Sequence, residues 1–181
     1  MTSTATGKRL GEAARQQITA RLASNPGVIL EQLAATHECS MIEIIECLPA
    51  DMWQRLPGDN FVPLLQEIHG WQTPVTLLVH SADAILEFTG PLPPGSVGHG
   101  FYNLENASGL HGHLRYQHCA AIYLVERPFM NKPTVSLLFC NTAGQVMFKI
   151  FVGRGEAGEL LEQQHQALLD FVEAHCCKVC A

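Results

Sequence analysis

The sequence predicts an α+β fold: N-terminal helices, then a large antiparallel β-sheet, then one closing C-terminal helix. Three observations predict it. Between residues 8 and 70 the apolar residues fall at helical spacing with Asn, Pro and Gly punctuation. From residue 74 the chain becomes a succession of short, β-rich apolar runs separated by turn residues, and residues 156–175 return to helical periodicity. At 181 residues, 47% hydrophobic and 15% charged, the chain has the composition of a folded protein with one sizeable core.

Residues 8–24, KRLGEAARQQITARLAS, are good helix formers stopped by Asn25, Pro26 and Gly27. VILEQLAATHECSMIEIIECLP then predicts two short helices. Ile29, Leu30 and Leu33 mark the first; Ser40 caps the second, whose stripe of Ile44, Ile45 and Leu48 ends at Pro49. Two short helices with a tight joint are also the outline of a DNA-reading helix-turn-helix. Charge argues against that use. Between residues 27 and 60, Arg55 is the one basic side chain against six acidic ones, Glu31, Glu38, Glu43, Glu46, Asp51 and Asp59. A recognition helix bearing Glu43 and Glu46 would be repelled by the phosphates it had to contact.

Residues 60–69, NFVPLLQEIH, predict one more short helix. The strand candidates follow: VTLLVH, AILEFT, GHGFYNL, HGHLRYQ, AAIYLVER, TVSLLFC and QVMFKIFV, punctuated by GPLPPG, ENASG, RPFMNKP and NTAG. Connections this short forbid helical crossovers, so the sheet is expected to be antiparallel. A last helix over 156–175 offers Leu160, Leu161, Leu168, Leu169 and Val172 to that sheet. The expected organisation is a helical extension over residues 1–26 and one α+β domain over 27–177, with its helical part at 27–70 and its sheet and closing helix at 74–177. Helices on one face of an antiparallel sheet would leave the other face for solvent, a partner or a ligand.

The net charge of −6 gives no general attraction for nucleic acid or anionic lipid. No stretch approaches a membrane span, and the start MTSTATGKRLGEAARQQ lacks the apolar core of a secretion signal, so a cytoplasmic protein is expected. Seven cysteines, an odd number, do not form a regular disulfide framework. The tail HCCKVC holds one CxxC, Cys177 to Cys180, beside His175 and Cys176. With no second CxxC elsewhere, a closed structural zinc site lacks its ligand set, and an exposed terminus is the simpler reading.

Three of the nine histidines fall within GLHGHLRYQH, residues 109–118. On a strand, His111, His113 and Arg115 would share one face and Leu114, Tyr116 and His118 the other. His80 ends the apolar run VTLLVH, and His99 stands between two glycines, which would let a backbone or a flat ligand approach. Three chemistries compete. Zinc hydrolysis would draw on His80, His99, His111 or His113 with Glu87 or Asp83 as base, though no local HExxH-like motif is present. A Cys119 nucleophile beside His118 is disfavoured because strand neighbours point to opposite faces. Axial ligation of heme iron by histidine across an apolar surface suits isolated strand-borne histidines, and burying a few hundred square ångströms of porphyrin at about 25 cal/mol per Å² would supply several kcal/mol. On residue chemistry alone, zinc and heme stand level.

TLLVHSADAILEFTGPLPPG, HGFYNL, GLHGHL, ERPFM and MFKIFVGR, in this order and at these spacings, resemble the bacterial cytosolic heme-utilisation carriers of the HutX/ChuX type. EQLAATHECSMIEIIECLP and the closing helix extend the likeness over roughly residues 27 to 175. The resemblance implies a fold similar to one half of the duplicated heme-degrading and heme-trafficking proteins. It also implies a homodimer that binds heme and hands it to an acceptor protein. By position, the heme-associated histidines carry over to His80 and His113, with His99 and His111 close by in the pattern and ranked below them. Arg115, Arg127 and Lys149 are the basic residues available in the strands for the propionates. Two other classes stand beside the carrier: an enzyme that opens the porphyrin on the same fold, and a non-heme interaction module using the N-terminal helices. The basic cluster Lys8, Arg9, Arg15 and Arg21 and the cysteine tail have no counterpart in the resemblance.

Overall fold

The computed structural model describes residues 9–105 and 109–175; Cys176, Cys177 and Cys180 of the tail lie outside the described residues. Five helices are present among them: α1 (Glu12–Ser24), α2 (Leu30–His37), α3 (Met41–Ile45), α4 (Phe61–Gly70) and α5 (Glu162–His175). The strands are β1 (Trp53–Pro57), β2 (Val75–His80), β3 (Ile85–Gly90), β4 (Gly95–Gly98), β5 (Phe101–Leu104), β6 (Gly112–Leu114), β7 (Cys119–Phe129), β8 (Lys132–Asn141) and β9 (Val146–Phe151). None of the described helices is long and apolar enough to cross a membrane.

The strands form two sheets where one was expected. A six-stranded sheet runs β1-β7-β8-β9-β2-β3, and a three-stranded sheet runs β4-β5-β6. All pairings are antiparallel. Strand β1 lies inside the stretch expected to be helical. Its five residues, WQRLP, are too few to show a clear alternation, and the strand is held by its pairing with β7 from Trp53↔Val125 to Pro57↔Ala121.

Both faces of the large sheet are packed. On one face Ile122 and Leu124 of β7, Val135, Leu137 and Phe139 of β8, and Phe148 and Ile150 of β9 meet α4, α5 and the inner side of the small sheet. Phe61 at the start of α4 is the hub of this cluster. Its ring lies edge-on to Phe139 (5.2 Å), Phe148 (5.8 Å) and Tyr102 of β5 (6.3 Å), while Phe139 and Phe148 stack at 4.4 Å.

On the other face Ala121, Tyr123 and Val125 of β7, with Leu138 and Cys140 of β8, meet α1, α2 and α3. The expected open face is therefore half covered, and what remains open is the part over β9, β2 and β3. Helix α1, expected as an extension, packs Ile18 and Leu22 fully into this second cluster. Ser40 caps α3 as expected: its hydroxyl oxygen accepts from the Glu43 N–H at 3.3 Å. Glu43 in turn accepts from the Leu10 N–H at 2.8 Å and pairs with Arg15 at 3.7 Å, fastening the start of α1 to α3.

Helix α5 starts at Glu162, six residues later than the expected 156. Residues 154–160 form a turn closed by the bridge Arg154↔Leu160, with Gly158 at φ +86°, a conformation that a helix cannot continue through. Gln164, almost fully buried, then ties α5 to the sheet end by accepting from the Gly153 N–H (2.7 Å) and donating to the Pro74 carbonyl (3.0 Å).

Leu22→Ala is expected to cost about 2–5 kcal/mol, the range for a fully buried leucine. The measurement is the urea midpoint at unchanged m-value. A loss below about 0.5 kcal/mol, the scale of a surface substitution, would show that α1 is not part of the cooperative unit.

Candidate functional site

The open part of the large sheet carries a pocket of about 200 Å³. Its floor is the alternate-residue set that faces away from the Phe61 cluster: Leu78 and His80 of β2, Ile85 and Glu87 of β3, Ser136 and Leu138 of β8, Lys149 and Phe151 of β9, and Arg127 and Phe129 of β7. Register confirms the common face, since Leu138↔Lys149, Lys149↔Leu78 and Leu78↔Glu87 form one row across four strands. Ile29, Leu30 and Glu31, at the start of α2, form the wall.

Charge is concentrated at that wall. Glu31 occupies the first turn of α2, where the helix dipole favours an anion, and is ion-paired with Lys149. His80 Nδ1 lies 3.6 Å from the same Glu31 oxygen. Burial pushes the Glu31 carboxyl up, but the Lys149 ammonium, its hydrogen bond and the nearby His80 outweigh it and hold the group below the usual carboxylate range. The His80 ring is 29% exposed, tucked against the pocket edge with Glu31 on its Nδ1 side. Among the described residues its Nε2 has no hydrogen-bond partner.

Two of the three basic residues expected to be available for an acidic ligand are already engaged. Lys149 holds Glu31, and the half-buried Arg127 donates to the carbonyls of Pro26 and Val28 (2.9 Å to the latter) while lying 5.3 Å from the Phe129 ring. Arg115 is exposed, its guanidinium 4.8 Å above Phe101.

His113 sits elsewhere, on β6 at the edge of the small sheet. Tyr102 and Leu104 of β5 point inward to the Phe61 cluster, so Asn103 and its register partner His113 stand on the outer face. His113 Nδ1 is 2.7 Å from Asn103 Oδ1, and its ring is edge-on to Phe101 at 5.8 Å. His80 and His113 thus face outward on opposite sides of the larger core cluster, and one chain does not bring them together.

The other expected histidines fall outside the pocket. His99 and Gly100 are the two residues of the β4–β5 hairpin turn, at φ +53° and +81°, which is the backbone of a type I′ turn. The side chain that comes close at Gly98 is the Asn103 amide, 3.4 Å from where a Cβ would stand. His111 is exposed just before β6. The strand expected over HGHLRYQ ends at Leu114, and Tyr116–His118 form a 3₁₀ turn, so His118 leaves the group through that turn and not through strand alternation. No cluster of three or more metal-ligating side chains occurs among the described residues. Cys119 is buried, and burial pushes its thiol up to about 12, which leaves no thiolate for nucleophilic attack near neutral pH.

The model of the haem utilisation ChuX/HutX family matches residues 54–168. The chain belongs to this family. It is 32% identical over 154 residues to the intracellular heme transport protein HutX of Vibrio cholerae, covering 84% of this chain and 79% of that one. Among solved structures it is similar to a protein from Erwinia carotovora (39% identity, TM-score 0.83, 87% of this chain and 98% of that one). It is also similar to the heme-binding protein ChuX (37% identity, TM-score 0.78, 87% and 97%). The fold alone is shared with ChuS, an Escherichia coli heme oxygenase, at 14% identity and TM-score 0.70, where 92% of this chain covers 50% of that one. The chain therefore has the fold of one half of that larger protein.

Glu31 titrates lower in the folded chain than its ordinary value of about 4.3. Its ionised form therefore adds stability that is complete above that value and is lost as pH falls through it toward the lower folded value. Urea denaturation from pH 6 to pH 3 is expected to show a steeper loss for the heme-free wild type than for Glu31→Gln. Parallel curves would show that the ion pair does not couple to folding.

Proposed function

We propose that this protein binds heme inside the cell and passes it to an acceptor protein, with His80 and His113 as the residues that contact the iron. The observation that carries the reading is His80 itself, an imidazole at the rim of an apolar pocket whose floor holds Leu78, Ile85, Phe129, Leu138 and Phe151. Its Glu31 neighbour lies on the Nδ1 side, so Nε2 is the nitrogen available to a ligand. Bound heme supplies an iron that takes a neutral imidazole nitrogen as axial ligand and a wide apolar ring that is driven out of water. The heme transport and heme-binding relatives of the family support the same ligand.

The pocket, at about 200 Å³, is smaller than the roughly 300–1,000 Å³ of sites that enclose a drug-sized ligand. It seats one edge of a porphyrin and leaves the rest over β3, where Ile85, on the same face as His80, is 57% exposed. A ligand held by one edge suits a carrier better than an enzyme that must shield a reacting oxygen, so we read the chain as a carrier. We place it as a homodimer, the state implied by the family pattern, because two copies can set His80 of one beside His113 of the other, which one chain does not.

Titration of the purified protein with hemin is expected to shift the Soret band and saturate at about one heme per chain. His80→Ala and His113→Ala should each weaken binding, by about 10-fold or more if an axial bond worth some 1.4 kcal/mol or above is lost. A double variant that retains the wild-type spectrum and affinity would refute the assignment. Light scattering of the same samples should report a dimer; a monomer with both histidines still ligating would refute the two-copy arrangement.

A further inference from the structure

The outer face of the small sheet holds a hydrogen-bond chain that fixes the proton on His113. Ser96, Asn103 and His113 stand in register across β4, β5 and β6. The Asn103 amide nitrogen donates to two backbone carbonyls of β4, Ser96 and Gly98, each at 3.2 Å. Carbonyl oxygens only accept, so the nitrogen of this amide must face them. Turning the amide over would set Oδ1 against two other acceptors and leave both without a donor. Oδ1 is therefore directed at His113 Nδ1, 2.7 Å away. An amide oxygen only accepts, so Nδ1 must carry a proton, and in the neutral ring the lone pair is on Nε2, at the edge of the imidazole away from Asn103. Phe101, edge-on to the ring at 5.8 Å and capped by Arg115, holds the plane of the imidazole.

From this geometry we infer that Asn103 is a positioning residue: it locks His113 in the Nδ1–H tautomer and so presents Nε2 as a preformed ligand to a metal-bearing planar group. The inference rests on the proposed role of His113 and names the residue that prepares it. Outer-shell partners of this kind commonly change metal affinity by about 10–100-fold when removed. The lock differs from the arrangement at His80, whose Nδ1 lies beside a carboxylate at 3.6 Å, too far for a hydrogen bond. The two histidines would thus be prepared differently, one by a neutral amide and one by a nearby anion.

The test begins with the heme-free wild type. Long-range ¹H–¹⁵N correlation spectra of the imidazole side chains, recorded near pH 8, well above the ordinary histidine value of about 6.5, are expected to show His113 as the Nδ1–H tautomer. A mixture, or the Nε2–H form, overturns the lock without recourse to any variant. Asn103→Ala should release the ring to a tautomer mixture and weaken hemin binding about 10–100-fold. In the His113→Ala background the same substitution should cost nothing further. An equal cost in both backgrounds would mean that Asn103 acts other than through His113, which overturns the inference. If His113→Ala alone binds hemin as tightly as wild type, the proposed iron contact fails. The tautomer spectrum still decides whether Asn103 holds the ring.

Discussion

Burial of the β7–β8 hairpin on both of its faces is the constraint on which the other elements depend. Ile122, Leu124, Leu137 and Phe139 face one way and Ala121, Tyr123, Val125 and Leu138 the other, and all are essentially inaccessible to water. A fully buried side chain of the larger kinds contributes about 1.5–3 kcal/mol relative to exposure, so stripping either layer would cost many kcal/mol against the marginal stability of a domain. Two layers are therefore obligatory. One is supplied by α4, α5 and the small sheet, gathered around Phe61. The other is supplied by α1 to α3, anchored by the Tyr123 hydroxyl donating to Glu46 at 2.7 Å and by Arg127 reaching the carbonyls just before α2. Where the second layer stops, at Glu31 over Lys149, the pocket begins. The site is the edge of a packing layer and not a cleft cut into a finished core.

Much of this was legible in the residues, and the failures have physical causes. The order of helices, antiparallel strands and closing helix followed from periodicity and short connections. The number of packed faces was misjudged, although a signal was present. AAIYLV and SLLFC are nearly continuous apolar runs, the pattern of strands buried on both sides, whereas a half-solvated strand alternates. The division into two sheets was not readable, because GSVG, which forms β4, has only one apolar residue to mark it, GHGFYNL begins as strand three residues later than expected, and nothing local says which neighbour each strand will pair with. Position 99 has a local reason for its glycine neighbours. A histidine between glycines looks like a place for close approach, but φ is positive at both His99 and Gly100, as the turn requires.

The histidines show the same division between what is local and what is not. That His113 lies on a strand with a free face was readable from GHL. That its partner would be Asn103, ten residues earlier on the neighbouring strand, depends on the register of β5 against β6. Likewise His80 was marked by the end of an apolar strand, whereas Glu31, which stands beside it, is 49 residues earlier and arrives there because α2 packs on the sheet. In the proposed reading, the histidines that would touch the ligand carry recognisable chemistry in the sequence. The residues that would prepare them are ordinary Asn and Glu, distinguishable only once the fold has placed them.

A carrier also has to let go, and in the proposed reading the shape of this site bears on how. Every 1.4 kcal/mol of extra contact multiplies affinity tenfold, so a pocket enclosing the whole porphyrin would soon slow its release. A pocket at the end of a helical layer engages one edge of the ring and leaves the rest of it accessible. An acceptor can then cover the exposed part of the ring before the imidazole is displaced, so the apolar area need not pass through water during transfer. The same openness would be a fault in an enzyme, where water must be kept from a reacting oxygen. What fixes the direction of function here is therefore the extent of the second packing layer: one more helix over β2 and β3 would turn a place for handing over into a place for holding.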